Sequence, residues 1–355
     1  MMMVTDAAPQ QAGEPTEAQP FTHDTLVALV DNADYQKLAL LYVAVKLGLA
    51  DAVRDGPKHS RVLAGALGVH PAALHTVLRA LASLGILTHE ADGSFGLAPL
   101  GRLLRTGAAD SLRDQVILEW EVFRAARDGL LQAVQTGEPA FTHVFGHGLF
   151  EHLAKYPALS RAFDAHMADL TDQGTAALLE VCRFEKASRI VDVGGGSGAL
   201  LARILETYPQ AHGVVLDLPP VAEGARRHLA AVGLTSRCEV VGGDFLHGVP
   251  AGDTYLLSHV LHNWDDDRCA RILRNCRDAM APAGRVLVFE RLMPERITKP
   301  EPATAADVGM LVLTGGRERT EGEYRPLFAA AGLELTRVLP TPSPRCVLEA
   351  SRAAS

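Results

Sequence analysis

Basic residues are in short supply in this sequence: 34 Lys and Arg stand against 42 Asp and Glu, a net charge of −8 at pH 7 over 355 residues. Only six of them are Lys, at positions 37, 46, 58, 155, 186 and 299. Proteins that hold nucleic acid by neutralising phosphates carry a clear basic excess, so this balance argues against that class and for a small or neutral partner. Cysteine is scarce as well. Cys182, Cys238, Cys269, Cys276 and Cys346 include no CxxC pair, and an odd number scattered along a long chain does not form a disulfide framework. No apolar run approaches the roughly 18 residues of a membrane span, and the first residues lack the basic region and apolar core of a signal peptide. A cytoplasmic protein with no membrane association is the expectation.

The length suits about two domains with a sizeable core. Residues 1–20, rich in Ala, Gln, Glu and Pro, have little to bury and read as a disordered tail. Residues 21–110 read as helices with one small hairpin. Within them, 60–106 runs in the order helix, break at Gly68, helix opened by Pro71, then strand-like pieces 86–89 and 94–97 around Asp92-Gly93. That is a winged-helix-like order. Its DNA-binding reading fits poorly, because HPAALHTVLRALASLG offers one Arg to base edges, and a dimerising module is preferred. Residues 111–187 read as helical, with an apolar loop-like segment FTHVFGHGLF at 141–150.

From 188 to 355 short β-rich runs alternate with amphipathic helices, the pattern of an α/β doubly wound, Rossmann-like domain. The spacing predicts strands at 188–193, 213–217, 238–243, 254–258, 285–290, 333–339 and 345–351, with helices at 198–208, 220–232, 266–281 and 320–331. The Pro-rich link 340–344 is too short for a parallel crossover, so the last two strands are expected to pair antiparallel.

Between the first of these strands and its helix lies VDVGGGSG (191–198). Glycines there permit a sharp turn and a close ligand approach. Gly194, Gly196 and Ala199, with Asp217 about 20 residues on, also satisfy the relaxed dinucleotide pattern, so NAD is one reading. The third strand ends in GGDF (242–245), which puts Gly243, Asp244 and Phe245 at the same carboxyl edge. Asp217 can take ribose hydroxyls, Asp244 an adenine amine, and Phe245 can stack on adenine. The loop has no basic residue for a pyrophosphate, whereas the sulfonium of S-adenosylmethionine (SAM) would favour nearby negative charge. The constellation favours SAM.

Taken together with KLGLAD (46–51), LDLP (216–219), SHVLHNWDDD (258–267), ILRNCRDAM (272–280), GRVLVFE (284–290) and GGRERTEGEY (315–324), these blocks resemble the class I SAM-dependent O-methyltransferases of the plant caffeate type and their bacterial relatives acting on antibiotics and aromatic polyketides. The resemblance runs from about Phe21 to Glu349. It implies a SAM-binding domain behind an N-terminal winged-helix-like domain that forms a homodimer, a metal-independent reaction, and S-adenosylhomocysteine as product. It assigns Gly194, Asp217, Asp244, Phe245 and Ser258 to the cofactor; the plant enzymes carry Lys where this chain has Ser258, which leaves a backbone contact there. His262 matches the family's base, Glu290 and Glu318 the carboxylates that flank it, and Met167, Asn263 and Met310 its substrate contacts, with Trp120 and Phe163 as further walls.

A base suits the chemistry because a neutral phenol is a poor nucleophile toward a sulfonium methyl, and imidazole titrates in the right range. The run Asp265–Asp267 could bind a hard cation, but its place before a predicted helix fits capping better. The expected activity is therefore O-methylation of a phenolic hydroxyl on an aromatic or quinone natural product. Two alternatives stand beside it: a relative that uses SAM in hydroxylation or decarboxylation, and a ligand-sensing winged-helix regulator.

Overall fold

The computed structural model describes residues 33–108 and 110–353; the expected tail at 1–20 lies outside them. The N-terminal unit begins with helix α1 (Ala33–Leu47). Helix α2 (Ser60–Leu67) stops at Gly68, whose φ of 67° closes the helix in the left-handed region. Helix α3 (Pro71–Ser83) opens on its proline and buries Leu74, Leu78 and Leu81 at helical spacing. Strands β2 (Leu87–His89) and β3 (Ser94–Leu97) form the expected hairpin, its turn held by the Asp92 carboxylate, which accepts from the Ser94 N–H and hydroxyl. Strand β1 (Lys58–His59) pairs on the other side of β3. At two residues it is too short to show a period in the sequence.

The segment 141–150 is helical and not loop-like. It forms parts of two helices, Ala140–Phe145 and Leu149–Lys155, separated by Gly146 with φ 76°. Glycines at 146 and 148 gave it a loop's composition, yet Phe141 and Leu149 are buried in one apolar cluster with Phe123 and Leu153. The 25-residue helix α4 (Pro157–Val181) then leads into the α/β domain.

That domain is a seven-stranded sheet in the order β6-β5-β4-β7-β8-β10-β9. Its strands are β4 (Arg189–Val193), β5 (His212–Asp217), β6 (Cys238–Gly242), β7 (Gly252–Ser258), β8 (Met280–Glu290), β9 (Leu333–Pro340) and β10 (Cys346–Arg352). Pairs among β4 to β8 are parallel, and β10 runs antiparallel to both β8 and β9. Helices α5 (Ala199–Thr207), α6 (Pro219–Ala231), α7 (Asp266–Ala279), α8 (Pro302–Leu313) and α9 (Glu321–Ala330) connect the strands. Alternate residues feed opposite faces: Val191, Tyr255 and Val288 enter one core, Ile190, Leu256 and Leu287 the other. Helix α8 has no counterpart among the helices the spacing predicts, because PATAADVGMLVL shows no clean 3.6-residue period.

This topology locates the site. Strand order reverses between β4 and β7, and ligands of open α/β sheets bind at the carboxyl ends of the strands flanking such a switch point. All five cysteines are free, and among the described residues no helix is long and apolar enough to cross a membrane.

Candidate active site

The glycine loop leaves β4 at Gly194, whose N–H bonds to the Leu216 carbonyl and whose φ is 70°. A Cβ there would meet Val260 at 3.0 Å and Phe245 at 3.4 Å, so glycine keeps the crevice open as well as permitting the turn. Asp217 ends β5. One of its carboxylate oxygens accepts the Gly196 N–H at 2.8 Å and the other the Leu218 N–H at 2.7 Å. Its orientation is thus fixed by backbone, and each oxygen retains a lone pair.

Asp192 lies directly beneath the loop, 1% exposed, with Oδ2 lacking any hydrogen-bond partner. Burial, reinforced by the Asp217 carboxylate, pushes its pKa up to about 7. Asp164 on α4 is pushed up to about 6 by burial and by Asp217. Asp164 escaped the motif reading; its one signal is a position one helical turn before Met167. A cation placed among these three carboxylates would relieve their repulsion.

Gly243 donates its N–H to the Asp217 carbonyl. Asp244 accepts the Leu246 N–H at 2.8 Å and sits 3.1 Å from the His247 ring, so an adenine amine would share it with that exposed histidine. Phe245 packs edge-on to Trp264 at 6.0 Å. The Ser258 hydroxyl is turned to the neighbouring His259 ring at 3.2 Å.

Beyond β7 the chain turns through His259, whose φ of 57° is the sole positive value outside glycine among the described residues, into a short turn Leu261–Asn263. His262 is 6% exposed there, with Nδ1 3.1 Å from Glu318 Oε1 and 3.3 Å from Glu290 Oε2. The other Glu290 oxygen accepts the N–H groups of Val260 and Leu261, both at 3.0 Å. A carboxylate only accepts, so in the neutral ring Nδ1 carries the proton and Nε2 keeps its lone pair. Burial pulls the His262 pKa down, but the Glu290 and Glu318 carboxylates outweigh it and the net shift is upward. Glu290 is raised in turn, chiefly by burial.

Asp265 caps α7, accepting the Arg268 N–H at 2.8 Å, an arrangement worth about 1 kcal/mol. Met167 on α4 and Met310 on α8 are half-buried. Asn263 points its amide nitrogen back to the carbonyls of His259 and Val260, which leaves its oxygen free for other partners. Trp120 stacks on Tyr42 at 5.1 Å and meets the Tyr35 ring at 5.5 Å, tilted by 40°, tying α1 to the helical region. Phe163 meets Phe123 edge-on at 6.4 Å.

Residues 128–334 match the family model of the O-methyltransferase domain, and residues 33–107 that of the O-methyltransferase dimerisation domain. The chain belongs to this O-methyltransferase family. Phenazine O-methyltransferase PhzM of Lysobacter antibioticus is 45% identical over 311 residues, 87% of this chain and 91% of that protein. The 3-amino-4-hydroxybenzoate 4-O-methyltransferase of Streptomyces cremeus is 42% identical over 317 residues, 87% and 85% of the two chains. Among solved structures, the neocarzinostatin-biosynthesis O-methyltransferase NcsB1, in complex with SAM and 2-hydroxy-5-methyl naphthoic acid, shares 34% identity with a TM-score of 0.78 over 92% of this chain and 98% of its own. This O-methyltransferase is SAM-dependent.

If Asp217 fixes the cofactor, Asp217→Asn should weaken SAM binding about tenfold or more, since a charge-assisted acceptor is lost and the new amide nitrogen would face a backbone N–H. Titration calorimetry with SAM checks this, with unchanged affinity as the contrary result.

Proposed function

We propose that the protein methylates a phenolic hydroxyl of an aromatic or quinone natural product, with His262 as general base, Glu290 and Glu318 as its orienting carboxylates, and the SAM crevice formed by Gly194, Asp217, Gly243, Asp244, Phe245 and Ser258. The observation that carries this reading is the His262 ring at the carboxyl edge of the sheet, hydrogen-bonded at Nδ1 to buried Glu318 with the buried Glu290 carboxylate 3.3 Å from the same nitrogen. The orphaned Asp192 oxygen and the opening kept by Gly194 fit a cationic cofactor. When bound, SAM supplies an electrophilic methyl group on a sulfonium.

In this reading the protein itself supplies proton transfer and positioning. His262 Nε2 accepts the phenolic proton as the oxygen attacks, and the imidazolium that forms is stabilised by Glu318 and Glu290. Half-buried Met167, Asn263 and Met310 would hold the aromatic ring, Met being adaptable around flat apolar surfaces. Helices of residues 111–187 would cap the pocket, and the unit at 21–110 would join two copies into a homodimer. A built base argues against hydroxylation or decarboxylation, and against a purely sensory role, because none of these needs a proton acceptor at that place. The same holds for methylation of a ring nitrogen with a free lone pair.

Calorimetry against SAM and NAD, followed by labelled-methyl transfer to a panel of phenolic polyketides and quinones, tests the reading; NAD binding without SAM binding would overturn it. Activity should survive EDTA, as expected for a reaction without a metal. The pH profile gives a further expected result. Neutral imidazole is the active form and its pKa lies above the ordinary 6.5, so kcat should rise with pH through that raised value and fall about tenfold per unit below it.

A further inference from the structure

Arg319 belongs to the GGRERT block but takes no part in the chemistry proposed above, and its side chain is 0% exposed. Burying a guanidinium is costly unless its donors are met. Here Nη1 donates to the Leu261 carbonyl at 3.2 Å, Nη2 to the Trp264 carbonyl at 2.7 Å, and Nη2 and Nε to one oxygen of Asp266 at 2.7 and 3.1 Å. Leu261 and Trp264 bracket His262 and Asn263. The neighbouring residues of the same segment also grip this turn. Arg317 donates its N–H to the His262 carbonyl at 2.9 Å, and Glu318 takes the ring at Nδ1.

We infer that Arg319 is a positioning residue for the base: it clamps the carbonyls on either side of His262 to the segment that carries Glu318, so that the imidazole and its carboxylate move as one body. This rests on the reading of His262 as the base. A planar fork can span three acceptors that an ammonium cannot, so Arg319→Lys should leave a folded protein with a looser clamp.

The groups facing the His262 ring are the Glu290 and Glu318 carboxylates, the His259 ring at 5.7 Å and the Arg291 cation. Loosening the Glu318 contact removes part of the upward pull, so the His262 pKa falls and the acid limb of the kcat profile moves to lower pH. The expected result for Arg319→Lys is a kcat loss of about 10–100-fold, by misplacement of a reacting group, a shifted acid limb, and SAM affinity close to that of the unaltered enzyme. Asp266→Asn, which keeps the helix start and weakens the guanidinium's anchor, should act in the same direction with smaller size. Wild-type kcat in both variants, or a kcat loss with an unmoved acid limb, would overturn the inference. His262→Gln measured in the same assay separates the two claims: an active His262→Gln removes the base reading, whereas an inactive one beside a wild-type-like Arg319→Lys removes only the positioning role.

Discussion

Replacing His262 with Gln is expected to lower kcat by about 10²–10⁴-fold, the usual contribution of a positioned general base, while SAM binding stays within a factor of about three because the side chain acts on the acceptor oxygen and not on the cofactor. Gln keeps the volume and can donate one hydrogen bond to Glu318, which sits 3.1 Å from the native Nδ1, so the two buried carboxylates are not left wholly without a partner. That makes it a better test than Ala, which would leave both acids facing a void and confound catalysis with stability. The effect should depend on the acceptor. A phenol already ionised at the assay pH has no proton to lose, so a strongly acidic phenol should narrow the difference between variant and parent, and a weakly acidic one should widen it. Single-turnover methyl transfer with labelled SAM, across acceptors of graded acidity, measures both. A uniform loss across the series would mean that His262 positions the substrate without removing its proton.

The α/β domain was legible because its signals are local. The strands β4 to β10 each carry a short apolar run closed by a turn, and the acids Asp192, Asp217, Asp244 and Glu290 stand at or just past strand ends, so parallel pairing alone gathers them at one edge. The 58–59 strand and helix α8 were not legible: one is two residues long, and the other lacks a periodic face. The helices at 140–155 were obscured by two glycines that end one helix and start the next. The partners of Trp120, Tyr35 and Tyr42 on α1, were not legible either, since an aromatic within a helical stretch gives no clue to which neighbour it packs on. Arg319 was visible as a letter in a motif and invisible as a clamp, because its partners Leu261, Trp264 and Asp266 lie more than 50 positions away in sequence. Sequence spacing reports what an element does for itself, and these residues act between elements.

Gly316→Ala should be the most damaging small change at the site that touches neither reactant. The backbone of Gly316 passes so close to the His262 turn that an added Cβ would overlap the His262 carbonyl oxygen and stand 2.7 Å from the Asn263 carbonyl carbon. Both are main-chain atoms, so no rotamer change relieves the contact and the two segments must part. Parting them breaks the Arg317 N–H bond to the His262 carbonyl and draws Glu318 away from Nδ1. Displacement of about 1 Å at a reacting group is enough to cost on the order of 100-fold in rate, and overpacking of this kind costs about 1–3 kcal/mol of stability. The expected outcome is a folded protein with a Tm lower by about 2–12 °C, a kcat lower by about two orders of magnitude, and SAM affinity little changed, since the glycine loop and Asp217 lie on the other side of β7. Thermal unfolding, calorimetry and turnover on one preparation give all three quantities. A variant with a lowered Tm and full activity would show that the His262 turn can shift without consequence, and that the rigid union of base and carboxylate is not what the reaction requires.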